Sequence, residues 1–330
     1  MSLRRQIILI ATSSLVAWAG CAFYSLNLNP EICFYRDLSK IQKSWADALR
    51  SKTSSQHILI GGSSALFSVM PERAWNAHSV PLVNLGVAAG MQPQVMVLRA
   101  LDYIHKGDTL VLALEPGLLT ANEEMGALGV QYAFAMGRSD WICRPALGLG
   151  RHSWGSALLA LRPGAYHIVT LAAKIVTQRP LYRYRLKDVS SGGWVSTESR
   201  EFEDQPPRHE EKLAPQSVEL LEALARLTSE REIKLMYALP WAYCPEDDLK
   251  KFRQENASFL LQIQRYMPIL FDSRLGAIDK KSLFADTAWH LNDEGSRVRT
   301  DELAAQLKRQ QMWKCSDLQK YAGKIAAETF

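Results

Sequence analysis

Clustered basic residues are scarce in this 330-residue chain. Lys and Arg number 39 against 34 Asp and Glu, a net charge of +5, yet they are scattered and bunch only into pairs such as Lys250-Lys251 and Lys280-Lys281. A nucleic-acid surface needs a concentrated basic face, so no nucleic-acid partner is expected. Paired cysteines are scarce too. Cys21, Cys33, Cys143, Cys244 and Cys315 form no CxxC motif, and no Cys/His cluster has zinc spacing. An oxidising compartment would permit a disulfide among the last four, with buried thiols as the plain alternative. No internal repeat and no long low-complexity segment is visible. At 47% hydrophobic and 22% charged residues, what remains is an ordinary globular composition with ample core.

Charge is also missing from the start of the chain. "MSLRRQIILIATSSLVAWAGCAFYSL" opens with Arg4-Arg5 and then runs uncharged for long enough that residues 6–26 would cross a bilayer. Arginines ahead of the span predict a cytoplasmic N-terminus and a domain on the far side. A cleaved signal peptide is the competitor, since "AWA" and "AGC" supply small residues near its end. The apolar run exceeds the usual signal core, which favours an uncleaved anchor. "WAGC" faintly resembles a lipoprotein cleavage site at Cys21, with Trp18 where such sites prefer Leu. The expected division is an anchor or signal over 1–28, a linker and helix over 29–56, and a main domain over 57–330.

Within that domain short apolar strands alternate with amphipathic helices. "HILIGGSS", "PLVNLGVAAG" and "DTLVLALEPG" each read as a buried strand ending in a tight turn. "IKLMYALPW" and "PILFDS" are later strands, and "QPQVMVLRALDYIHKG", "PQSVELLEALARLTSERE", "EDDLKKFRQENASFLLQIQRYM" and "RVRTDELAAQLKRQ" are helices. This rhythm predicts a mostly parallel sheet covered on both faces. Residues 118–215 break it, with one or two helices and then a polar stretch, and read as an insertion after the third strand.

In open α/β sheets the working residues gather at the carboxyl ends of strands. Those ends here are Gly61-Gly62-Ser63-Ser64, then Asn84, Gly86 and Gly90, then Glu115-Pro116-Gly117. A serine in a glycine turn between strand and helix suits an activated nucleophile beside backbone N–H groups. The plain alternative is a βα turn that uses Gly and Ser for backbone reasons. Near the other end, "FADTAWHLNDEG" places Asp286 and His290 just ahead of the last helix. Helix capping explains Asn292 and Asp293 but not the acid and imidazole before them. A serine alcohol needs a histidine to take its proton, and the histidine works best when a carboxylate orients it. The chain order Ser, Asp, His is one that α/β folds use. The remaining histidines, His57, His78, His105, His152, His167 and His209, share no spacing and are expected on surfaces. Trp241 and Tyr243 in "LPWAYCPED" could line a pocket or belong to the core.

These blocks resemble the SGNH hydrolase superfamily, the GDSL-like esterases, over most of the stretch from His57 to about Gln311. "ILIGGSSALFS" is similar to the family's first block, with Gly62 where an Asp usually sits. "PLVNLGVAAG" resembles the second block, and "DTAWHLNDEG" the last. The resemblance implies a three-layer α/β/α sandwich of SGNH/flavodoxin-like type, here with an N-terminal transmembrane helix. It also implies catalytic Ser63, His290 and Asp286, an oxyanion site from the N–H groups of Ser63 and Gly90, and no metal or organic cofactor. The register "GGS" gives Ser63 as nucleophile and "GSS" gives Ser64; least shifting selects Ser63. Two departures stand out. Glu115 occupies the place of an Asn that would donate to the oxyanion, and an ionised carboxylate cannot donate. The Asp-to-His interval is also one residue longer than usual. The anchor fits an extracytoplasmic branch resembling D-alanyl transfer and alginate O-acetylation proteins. Likeness to that branch implies a serine acyl-esterase or O-acyltransferase acting on an envelope glycan. Its partners would be an acylated glycan or acyl donor, and a multi-pass membrane acyltransferase meeting the 118–215 insertion. A non-catalytic assembly or binding subunit of a polysaccharide system is the rival expectation.

Overall fold

The structure is a computed structural model that describes residues 2–122, 126–143, 147, 149 and 153–320. Helix α1 (Leu3–Phe23) carries no charge after Arg5 and turns its apolar side chains outward. Ile7, Ile8, Leu9, Ile10, Leu15 and Val16 are each more than half exposed. With the π-helical turn that follows it, Leu3–Leu28 makes 26 residues, long and apolar enough to cross a membrane.

The helix breaks at Asn29. Its side-chain oxygen accepts the Glu31 N–H at 3.1 Å and caps α2 (Pro30–Arg50), with Pro30 in the first turn, where its missing N–H costs nothing. No linker precedes α2, which starts one residue after the π turn. Ile32, Tyr35, Leu38 and Leu49 recur along one face and are buried in the largest core cluster. The segment 29–56 therefore contributes a core helix.

Strand β1 (His57–Gly61) runs straight into α3 (Ser63–Ser68), followed by α4 (Pro71–His78), β2 (Leu82–Asn84), α5 (Gln92–Ala100) and β3 (Thr109–Ala113). The 118–215 region begins on α6 (Pro116–Thr120). It continues through α7 (Ala127–Ala135), α8 (Asp140–Cys143), α9 (Trp154–Ala160) and α10 (Ala165–Val176), then an extended stretch. The stretch expected to hold one or two helices forms α9 and α10. After it come α11 (Pro215–Glu230), β4 (Lys234–Tyr237), β5 (Ala242–Tyr243), α12 (Leu249–Ile263), β6 (Ala277–Ile278) and α13 (Asp293–Arg309).

The main sheet is parallel, in the order β2-β1-β3-β4. The expected strand "PILFDS" pairs only through one parallel bridge, Ile269 to Tyr237, because Leu270 already turns to an antiparallel bridge with Met312. Strands β5 and β6 form a separate parallel pair. Alternation along the strands sorts the core into two clusters. Ile58, Ile60, Leu110 and Leu112 join α2, α5 and α11, whereas Leu59, Val111 and Ala113 join Ala74 of α4 and Leu303 and Leu307 of α13. The chain leaves β1 on one side for β2 and returns past it to β3. The carboxyl ends of β1 and β3 thus flank the point where strand order reverses, the usual place of a ligand crevice.

Candidate active site

Ser63 and Ser64 open α3 directly after β1. The turn is tight because β1 and β3 close on each other. A Cβ at Gly61 would run into the Ala113 carbonyl, so only glycine fits. Ser63 is half-buried; Ser64 is buried, and its hydroxyl has no hydrogen-bond partner.

Asp286 and His290 sit in a short loop held at both ends. The Ala285 N–H donates to the His290 carbonyl at 2.8 Å, and the Asn292 N–H donates to the Leu283 carbonyl at 2.9 Å. The Thr287 hydroxyl oxygen accepts the N–H groups of Trp289 and His290, each at 3.2 Å. This geometry puts His290 Nδ1 2.7 Å from Asp286 Oδ1, with both residues buried. The Arg183 guanidinium pairs with Asp286 Oδ2. Burial pushes the Asp286 carboxyl up, but the hydrogen bond from His290 and the charges of His290 and Arg183 outweigh it. The carboxyl is held below the usual range. An ionised carboxylate only accepts, so it fixes the imidazole proton on Nδ1 and leaves Nε2 free to take another. The cap read from sequence is also there: Asn292 accepts the Gly295 N–H at 3.0 Å and starts α13. The loop both caps the helix and pairs the acid with the imidazole.

Phe67 brings the two ends of the chain together. Its ring lies 4.3 Å, centroid to centroid, from the His290 ring, and 4.7 Å from that of Tyr184. Ser63 and Ser64 lie one helical turn before Phe67, at the spacing that shares a helix face. Among the described residues neither serine hydroxyl hydrogen-bonds His290. The end of the insertion straps this junction. Trp194 Nε1–H donates to the Phe67 carbonyl at 3.0 Å, and the Arg200 N–H donates to the Ala285 carbonyl at 2.7 Å. Ser196 donates to Asp293 at 2.8 Å. Beside the strap, Arg183, Tyr184, Arg185, Lys187, Ser196 and Arg200 line a polar cavity of about 120 Å³, with Asp188, Thr197 and Glu198 completing it. A larger cavity of about 400 Å³ opens around Arg50, Arg99 and Trp141, and holds none of the candidate catalytic or oxyanion residues.

Glu115 and Gly62, where the resembled blocks would carry an Asn and an Asp, meet in space. The Glu115 carboxylate, buried at the end of β3, accepts the Gly62 N–H at 3.2 Å and the Ser64 N–H at 2.9 Å. A Cβ at Gly62 would collide with that carboxylate. Glu115 thus fills the space a side chain at 62 would need and places negative charge at the start of α3. Asn84 is structural: its Nδ2 donates to the Ala65 and Val69 carbonyls at 2.8 and 2.9 Å, and its Oδ1 accepts the Gly86 N–H at 2.8 Å. It is Gly86 that packs against α3, where a Cβ would strike the Leu66 backbone. Gly90 lies exposed in the turn before α5, with Leu128 as its neighbour.

Other candidates fall elsewhere. Trp241 is buried and donates to Asp272 at 3.1 Å, with Arg274 and Arg299 over its ring. Tyr243 donates to Asp204, outside the serine junction. His78 contacts Asp301 at 2.7 Å, His167 contacts Tyr24 and His209 contacts Asn256. His57 is half-buried, burial and the Lys234 charge lowering its pKa, and His105 is exposed; His152 lies outside the described residues. Cys21, Cys33, Cys244 and Cys315 carry free thiols. Among the described residues no three His, Cys, Asp or Glu side chains are grouped to hold a metal ion. Sequence reading missed Arg183, Phe67 and Tyr184. The alternating "YRYR" at 182–185 was the one visible signal, and it does not say where the arginine points. Comparison with models of protein families, with curated proteins and with solved structures finds no match to this chain.

Proposed function

We propose that this is a membrane-anchored serine acyl-esterase or O-acyltransferase of SGNH type, built as a three-layer α/β/α sandwich. Its domain faces the periplasm or cell exterior, and its substrate is an acylated envelope or secreted glycan. The observation that carries the reading is the 2.7 Å contact of His290 Nδ1 with Asp286, on a ring stacked against the helix that Ser63 opens. In this reading Ser63 Oγ attacks the ester carbonyl while His290 Nε2 takes its proton. The proton passes to the departing alkoxide as the ester C–O bond breaks, leaving an acyl-enzyme. Water, or a sugar hydroxyl, then repeats the step in reverse roles and releases the acid or a new ester. Glu115 supports Ser63 over Ser64, because it already occupies the Ser64 N–H and leaves that of Ser63 for the oxyanion. The two core clusters on opposite faces of the sheet support the three-layer architecture. Arg4 and Arg5 before the apolar helix support the outward orientation at the inner membrane.

The rival reading, a non-catalytic assembly or binding subunit, has one observation in its favour. Glu115 sits where a third oxyanion donor would be and adds negative charge there. Labelling by a fluorophosphonate probe separates the two. Wild type and Ser64→Ala should label and Ser63→Ala should not; absence of label on the folded wild type would leave the rival standing.

A further inference from the structure

We infer that α9 and α10 lie in the headgroup boundary of the membrane that α1 crosses, seating the domain on the bilayer surface. The inference rests on α1 being a membrane span. Helix α10 is inside-out. Ile168, Val169, Ile175 and Val176 are between 50% and 82% exposed, while His167, Thr170 and Lys174, with Leu171, are half-buried. His167 meets the Tyr24 hydroxyl at 2.9 Å, and Lys174 Nζ donates to the Leu181 carbonyl at 3.1 Å. Helix α9 likewise exposes Trp154 and Leu159, at 49% and 56%. A soluble surface helix has the opposite arrangement, and a contiguous apolar face of this kind marks an interaction site.

Three observations say what covers it. Both helices are tied to α1: Trp18 Nε1–H donates to the Leu158 carbonyl of α9 at 3.0 Å, and Tyr24 holds α10. Those contacts come from the last part of the span, and Trp18 and Tyr24 are about 9 Å apart along a helix axis. Trp and Tyr gather at that level, where a ring can be apolar on one side and hydrogen-bonded on the other. Charge agrees as well. No acidic residue occurs between Asp140 and Asp188, a stretch that holds eight lysines and arginines, among them Arg162, Lys174 and Arg179. Glu31 of α2 lies near Lys174, yet the segment itself offers only basic residues beside its apolar ones, as expected of a helix lying in an anionic lipid surface.

The test uses the full-length chain in phosphatidylethanolamine–phosphatidylglycerol vesicles, with Cys21, Cys33 and Cys315 changed to Ser. Single cysteines at exposed positions Leu9, Val169, Val176 and Lys251 carry an environment-sensitive fluorophore. Nitroxide-labelled lipids quench it from near the headgroup or from the chain centre. Labels at Val169 and Val176 should be quenched about twofold or more above Lys251, and more by the shallow nitroxide than the deep one. Leu9 should respond more to the deep nitroxide. Strong quenching at Leu9 with Val169 and Val176 no different from Lys251 would overturn the inference and leave a protein partner on this face. Loss of quenching at Leu9 too would remove the span, and the inference with it.

Discussion

Glu115 occupies the space that any side chain at Gly62 would need, and binds the N–H groups on either side of Ser63. Two positions 53 residues apart are therefore one structural choice. Glu115→Ala should cost about 1–3 kcal/mol, because it strips two buried N–H groups of their acceptor. Gly62→Ala alone should also destabilise, through collision with the carboxylate. In the double variant the collision is gone, so the two losses should fall short of additivity by roughly 0.5–3 kcal/mol. Denaturant unfolding of the four proteins measures this; simple additivity would separate the two positions.

The Asp286–His290 pair sets a second expectation. His290→Ala should lose roughly a thousandfold or more in ester turnover without unfolding. Asp286→Asn should lose somewhat less, and the double variant should be barely worse than His290→Ala. Asn292→Ala, which removes the cap of α13, should instead cost about 1 kcal/mol of stability and leave turnover nearly intact. Near-normal turnover in His290→Ala would end the catalytic reading of this loop.

Arg183 gives a prediction in pH. The folded-state pKa of Asp286 is lowered, so its contribution to stability is full above the unfolded value of about 3.9 and is lost as pH falls through the lowered value. Removing the Arg183 charge raises the carboxyl back toward its ordinary range. Arg183→Ala should therefore melt below wild type near neutral pH, and the gap should close as acid protonates Asp286 in both proteins. Melting curves recorded from neutral pH downward check it; a gap that widened in acid would contradict it.

Topology can be read directly. A reporter active only outside the cytoplasm should work when fused after Asp37, and the full-length chain should need detergent for extraction. Release of the chain with its N-terminus intact by salt or alkaline washing alone would contradict the anchor.

Much of this was legible in the sequence, because local patterns carry it. Apolar runs ending in glycine turns marked β1, β2 and β3, an apolar run ending at Pro240 marked β4, and helical periodicity marked α11, α12 and α13, the last with its Asn292 cap. Asp286 and His290 were found because the three residues between them are enough to join them. What was hidden depends on contacts between distant parts of the chain. Arg183 reaches Asp286 across 103 positions, and nothing in "YRYR" encodes that destination. Glu115 looked like a lost donor until its carboxylate was seen at Gly62. Gly86 and Gly90 look equivalent on paper, and only the packing of β2 against α3 tells them apart. Strands β5 and β6, with two residues each, are too short to show a period.

The join between α1 and α2 has a mechanical consequence. The one capping residue, Asn29, separates the apolar span, which ends on a π turn, from a helix whose face is buried in the core. A flexible linker would let the domain sweep a volume and search for substrate at many heights. This stem has no slack, so with α1 in a membrane, as proposed, the carboxyl ends of β1 and β3 would be carried at one height and one tilt above the bilayer. The reach of the site is then set by geometry rather than by diffusion of a leash. In the proposed reading, inserting a few glycines at Asn29 would change which substrates the site meets without touching Ser63, Asp286 or His290.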